Sequence, residues 1–126
     1  MAKPPQDGER RILFADGKLS GIENYRHGKK SGLCEYWYRN GQKKASGQFE
    51  KGLFTGDWIW WRENGVVLQK GAFVDGEQDG LWQRWHETGA LMDERLWDHG
   101  KRVGDWKHYD PAGDLLKVVS HRPIAH

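Results

Sequence analysis

Cysteine is almost missing from this chain, and long apolar runs are missing altogether. The single cysteine, Cys34, cannot close a disulfide within the chain, so a reducing compartment is the simpler reading. No stretch approaches the roughly 18 apolar residues of a membrane-spanning helix. The opening MAKPPQDGERR lacks the apolar segment of a secretory signal. The expected setting is therefore the cytoplasm. A net charge of +2 with no strong basic stripe argues against nucleic acid as the partner. Hydrophobic residues are only 37% and charged residues 30%, which disfavors a large dry core. An aromatic share of 13% in turn argues against disorder. A chain of 126 residues is expected to form one domain.

What the chain has in quantity is glycine and tryptophan. The stretch GDWIWWRENG (56–65) holds Trp58, Trp60 and Trp61, from a total of eight tryptophans. Gly32, Gly56, Gly80 and Gly104 are each 24 residues apart, and two further glycine series follow the same step. Together with Gly8 they account for 14 of the 17 glycines. Numbering each repeat from the glycine at 32, 56, 80 or 104, the third position reads Cys34, Trp58, Trp82, Trp106. The sixth reads Trp37, Trp61, Trp85, Tyr109, and the eighteenth reads Tyr25, Phe49, Phe73, Trp97, starting one repeat earlier. A fixed period of this size marks a repeat architecture. Trp58 and Trp61 are thus frame residues, kept for the fold. Trp60 is not, because its equivalents are Tyr36, Arg84 and His108.

Asn40-Gly41 and Asn64-Gly65 are strong hairpin signals and predict two-residue type I′ turns. Such a turn sets Trp58 opposite Gly71, with its ring over the bare backbone, and Trp61 opposite Leu68. The same register sets Trp82 opposite Arg95 and Trp85 opposite Met92. The second connection (51–56, 75–80, 99–104) is expected to be tight but longer than two residues. The fold class that follows is all-β: a single elongated antiparallel meander of 24-residue hairpins, about 40–50 Å long at roughly 4.8 Å per strand. Residues 1–11 form an N-terminal extension, 12–121 the repeat domain of about 4.5 repeats, and 122–126 a C-terminal tail. Positions three and six have opposite parity. Either both faces carry aromatics or a bulge re-aims one set.

The pattern G-x-W-x-x-W/Y-x-x-N-G followed by G-x-F/Y-x-x-G resembles the MORN repeat, in particular its bacterial variant. GDWIWWRENG and KGAFVDG (70–76) carry that resemblance, which extends over about 12–121. Cys34, Arg95 and Val119 depart from it. The resemblance implies a scaffold or interaction module. The bacterial variant is similar to the YwqK-type family, which implies an antitoxin or immunity partner of a toxin.

Other chemistry is poorly served. Asp75, Glu77, Asp79 and Gly80 imitate the start of a calcium loop, but His86 stands where its final glutamate should be. No histidine pairs with cysteine at zinc-ligand spacing. His108 and Asp110 lack any accompanying nucleophile motif. No metal, cofactor or catalytic site is expected, and the chain reads as a non-enzyme.

Partner recognition would fall on the variable strand positions. Position five reads Tyr36, Trp60, Arg84, His108, and position seven reads Tyr38, Arg62, His86, Asp110. Tyr, Trp and Arg are the residue types that anchor protein interfaces. The candidate contact strip is therefore Tyr36, Tyr38, Trp60, Arg62, Arg84, His86 and His108. The same residues could equally be shielding the sheet from water. If they are free of the fold, Arg84→Glu should weaken binding and leave stability unchanged. The rival readings are self-association through the sheet edges, notably LLKVVSH (115–121), and a choline- or lipid-binding repeat.

Overall fold

The computed structural model describes residues 6–122. It forms one open sheet of eleven strands. These are β1 (Gly8–Leu13), β2 (Leu19–Arg26), β3 (Lys29–Lys30), β4 (Gly32–Trp37), β5 (Lys43–Glu50) and β6 (Leu53–Trp61). They continue as β7 (Val67–Val74), β8 (Glu77–Trp85), β9 (Leu91–Asp98), β10 (Lys101–Tyr109) and β11 (Leu115–His121). Spatial order follows chain order, apart from the short β3, which pairs with β2 off the main path. All pairs are antiparallel. The single-sheet meander expected from the period is thus the fold. The sheet starts at Gly8 and so takes in the end of the stretch read as an extension. Of the C-terminal tail, all but Arg122 lies outside the described residues. Among those described, no helix is long and apolar enough to cross a membrane.

The two kinds of turn are the reverse of the expectation. The two-residue turns are His27-Gly28, Lys51-Gly52, Asp75-Gly76 and His99-Gly100, with φ of 51/75°, 51/81°, 49/81° and 47/81°. Positive φ at both central residues is the type I′ signature, and its twist matches that of the flanking strands. The Asn-Gly connections are three-residue loops instead. Arg62 N–H donates to Val66 O at 2.8 Å, and Gly65 N–H donates to Arg62 O at 2.9 Å. This is a type I turn closed by a positive-φ glycine, and Asn64 itself stays at negative φ. The Asn64 side chain acts as an Asx turn, its Oδ1 accepting Val66 N–H at 3.0 Å. The extra loop residue moves the register by one near the turn. Trp61 therefore faces Val67 rather than Leu68, and Trp85 faces Leu91 rather than Met92.

A second irregularity seats the frame tryptophans. Between β5 and β6 the pairing jumps from Ser46↔Ile59 to Gln48↔Thr55, leaving extra residues on β6 around Trp58. β7–β8 and β9–β10 repeat the jump. A bulge of this kind leaves ladder groups unpaired. The indole N–H of Trp58 takes the Gln48 carbonyl at 2.9 Å, that of Trp82 the Ala72 carbonyl at 3.0 Å, and that of Trp106 the Leu96 carbonyl at 2.9 Å. Trp58 does face Gly71 in register, but its ring leans the other way, over Gly47 of β5. Trp82 in turn covers Gly71, where an added Cβ would sit 2.1 Å from the ring. Gly71→Ala should therefore cost about 2–3 kcal/mol in a denaturant melt, because neither the ring nor the backbone can give way. A loss under about 1 kcal/mol would show that the ring does not rest there.

The parity question resolves into two aromatic faces. Trp58, Trp82 and Trp106 are buried on one, hereafter the tryptophan face. The position-six rings lie on the other. Lys43 caps Trp61 at 5.9 Å while bonding Glu35, and Tyr109 reaches Glu94. The position-six rings are only partly buried.

Candidate partner-binding face

Register places all four position-five residues in one row across the tryptophan face. The row runs Tyr36↔Ala45↔Trp60↔Gln69↔Arg84↔Asp93↔His108↔Lys117. The expected strip thus brings Tyr36, Trp60, Arg84 and His108 together. Three of these four are also tied into the sheet. Trp60 lies between the frame rings, 5.6 Å from Trp58 and 5.8 Å from Trp82, and meets Phe73 edge-on at 6.3 Å. It fills the gap between consecutive repeats and is half-buried.

Tyr36 and Arg84 each serve a buried carboxylate. Glu23 is 4% exposed and accepts hydrogen bonds from Tyr25 and Tyr36, with Lys30 Nζ at 3.0 Å. Burial alone would push the Glu23 carboxyl up, but the bonds from Tyr36, Lys30 and Tyr25 overcome it and hold the group low. Burial also pushes the Tyr36 phenol up, and so does its bond to Glu23. Asp93 is fully buried. Arg84 donates to its Oδ2 through Nε at 2.9 Å and through Nη2, and Arg95 Nε lies 3.5 Å from Oδ1. Among the described residues, Asp93 Oδ1 and Arg95 Nε have no hydrogen-bond partner. Burial pulls the Arg95 guanidinium down, and Asp93 opposes the shift. Arg84 is therefore part of the fold, contrary to its expected independence. Asp93, Arg95 and Glu23 were not among the strip residues read from sequence. Their signal was present in the frame, where Arg95 and Glu23 stand at the position of Gly47 and Gly71.

Position seven is a fixed part of the architecture as well. Tyr38 Oη donates to Trp61 O at 2.7 Å, Arg62 Nη2 donates to Trp85 O at 3.0 Å, and His86 Nε2 meets Tyr109 O at 3.0 Å. Each side chain holds the backbone of the next repeat. On the opposite side of the ladder the turn glycines do similar work. Gly52, Gly76 and Gly100 N–H donate to Lys30, Phe54 and Gln78 O at 2.8–2.9 Å. Three different side chains thus perform one task, which a period count cannot detect.

The surface between these ties is concave. A groove of about 590 Å³ runs over β2–β6, with Tyr36, Phe49, Phe54, Trp58 and Trp60 among its walls and Glu23 and Lys30 at one end. Phe54 is exposed, stacks on Phe73 at 4.8 Å and packs tilted against Phe49 at 4.9 Å. Ring faces here already attract cations. Lys30 Nζ sits 5.0 Å over Phe49, and Arg102 sits 5.2 Å over Trp106.

The acidic turn that imitates the start of a calcium loop has a local role. Asp79, Asp98 and His99 approach one another within 4.8 Å. Asp79 Oδ1 accepts the His99 backbone N–H at 3.0 Å, and Asp7 does the same for His27 at 2.9 Å. The carboxylates brace type I′ turns. A hydrogen bond to Asp98 also raises the His99 imidazole above its usual range.

Residues 30–51 match the family model described as the MORN repeat variant. No curated protein matches the chain. The matched segment holds the β4–β5 hairpin, whose 24-residue frame recurs in the β6–β7, β8–β9 and β10–β11 hairpins, so that one repeat of the meander is similar to the MORN repeat variant and the others share its frame.

Proposed function

We propose that the chain is a protein-binding module that holds its partner against the tryptophan face, and that it works in the cytoplasm as the antitoxin or immunity partner of a bacterial toxin. The observation that carries the binding reading is the open aromatic groove at Tyr36, Phe54 and Trp60. All strands belong to the one sheet, so among the described residues no second layer covers that face. Aromatic residues beside Arg and Lys in a concavity make good interface anchors. The toxin rests on the likeness to YwqK-type proteins alone.

Co-purification with the product of the adjacent gene tests the partner's identity. Trp60→Ala with Phe54→Ala tests the face. The pair should weaken a captured partner about 30-fold, the effect of losing roughly 2 kcal/mol of anchor contact. Undiminished binding by the folded double variant would move the contact elsewhere.

A second reading has its own support. Edge strand β11 exposes Leu115 at 55%, Leu116 at 65% and Val118 at 45%. An exposed apolar edge invites pairing with another chain. Light scattering decides this: a monomer at high concentration ends the scaffold reading. A choline or lipid ligand would first have to displace Lys30 or Arg102 from the rings.

A further inference from the structure

The two faces of the sheet differ in charge. On the tryptophan face stand Arg10, Lys30, Arg84, Arg95, Arg102 and Lys117, each placed there by its paired or contacting residue. Only Glu23 and Asp93 oppose them along the strand interiors, and both are buried. The opposite face carries Glu9, Glu35, Asp57, Asp79, Glu94 and Asp105 along the strand interiors, where Arg11, Lys43, Lys70 and Lys107 leave it net acidic. The chain's net charge of +2 conceals this division.

The exposed share of each charge sharpens the difference. Asp93 is sealed, whereas its partner Arg84 keeps 40% of its side chain in water, and Lys30 keeps 36% against 5% for Glu23. A docking partner meets the cations and does not reach the anions. Arg102 and Lys117 are exposed and, among the described residues, have no carboxylate partner. The rings between these cations supply apolar area for a chain laid across the strands.

We propose that the tryptophan face docks an acidic protein segment, with Glu or Asp side chains meeting Arg84, Arg102, Lys117 and Lys30 and apolar side chains meeting Phe54 and Trp60. This rests on that face being the partner surface. Charge complementarity selects the occupant, because like charges across an interface are strongly unfavorable. An acidic oligonucleotide shares the charge, but the exposed rings are part of a closely spaced stack, with Phe54 and Phe73 centroids 4.8 Å apart, and offer no slot for a base between them.

Tryptophan fluorescence of the whole chain can be titrated with a short peptide alternating Glu with Leu and Tyr, with its Lys counterpart, and with a single-stranded oligonucleotide of equal charge. The Glu peptide should bind, and binding should weaken on raising salt above about 0.15 M. Arg102→Glu with Lys117→Glu should weaken it at least about tenfold. Lys70→Glu with Lys107→Glu makes the same charge change on exposed positions of the opposite face and should leave it within about twofold. If the Lys peptide binds better at the Trp60 groove, the docking face stands and its charge preference is overturned. Tighter oligonucleotide binding, or equal loss in both charge pairs, also overturns the proposal. If no probe perturbs the fluorescence, both the proposal and the docking face fall.

Discussion

Trp82→Ala should lose about 3–5 kcal/mol in a denaturant melt, and Trp61→Ala should lose clearly less. From sequence both are frame tryptophans, kept for the fold. The structure separates them. Trp82 is 1% exposed and Trp61 only partly covered. The Trp82 indole covers Gly71, closes the unpaired Ala72 carbonyl and meets Phe73 edge-on at 5.0 Å. Removing it opens a cavity, exposes a bulge and strands a carbonyl at once. Trp61→Ala mainly removes a ring from the opposite face, beneath Lys43. Equal losses for the two variants would mean that the faces do not differ as described.

Arg84→Glu should lose about 3–5 kcal/mol, because it leaves the fully buried Asp93 carboxylate facing a new negative charge. Arg95 does not rescue it. Its Nε is 3.5 Å from Oδ1 and makes no hydrogen bond there. Arg84→Met with Asp93→Leu should recover most of the loss, since a buried ion pair replaced by apolar groups of similar size is often neutral. Melts of the two single variants and the double complete the cycle. If Arg84→Glu melts like the parent, the pair is not holding the sheet. Binding effects of Arg84 changes cannot be read alone, which is why the charge test above uses Arg102 and Lys117.

The repeat and the strand order were legible because the period counts backbone requirements. The 14 frame glycines are the ones with positive φ, while Gly47 and Gly71 are glycine for the ring above them. Turn type was misread because Asn-Gly is a strong local preference that a three-residue loop also satisfies. Lys51-Gly52 and His99-Gly100 carry no such preference, and their type I′ geometry is imposed by the strands they join. Of the candidate strip, the row Tyr36, Trp60, Arg84 and His108 was foreseen as sharing one face, since alternation fixes that. Its bonds were not. Arg84 to Asp93 and Arg62 to the Trp85 carbonyl cross between strands, and single-position variability cannot tell a free side chain from one with a changing partner.

Strand order that copies chain order also has a mechanical consequence. A pull applied across β1 and β11 loads each ladder from one end, so bonds break in succession as in a zipper and are never sheared together. Each hairpin released yields slack that unloads its neighbors. Such a sheet gives way at low force, in steps of one repeat, and re-forms from whichever hairpins remain.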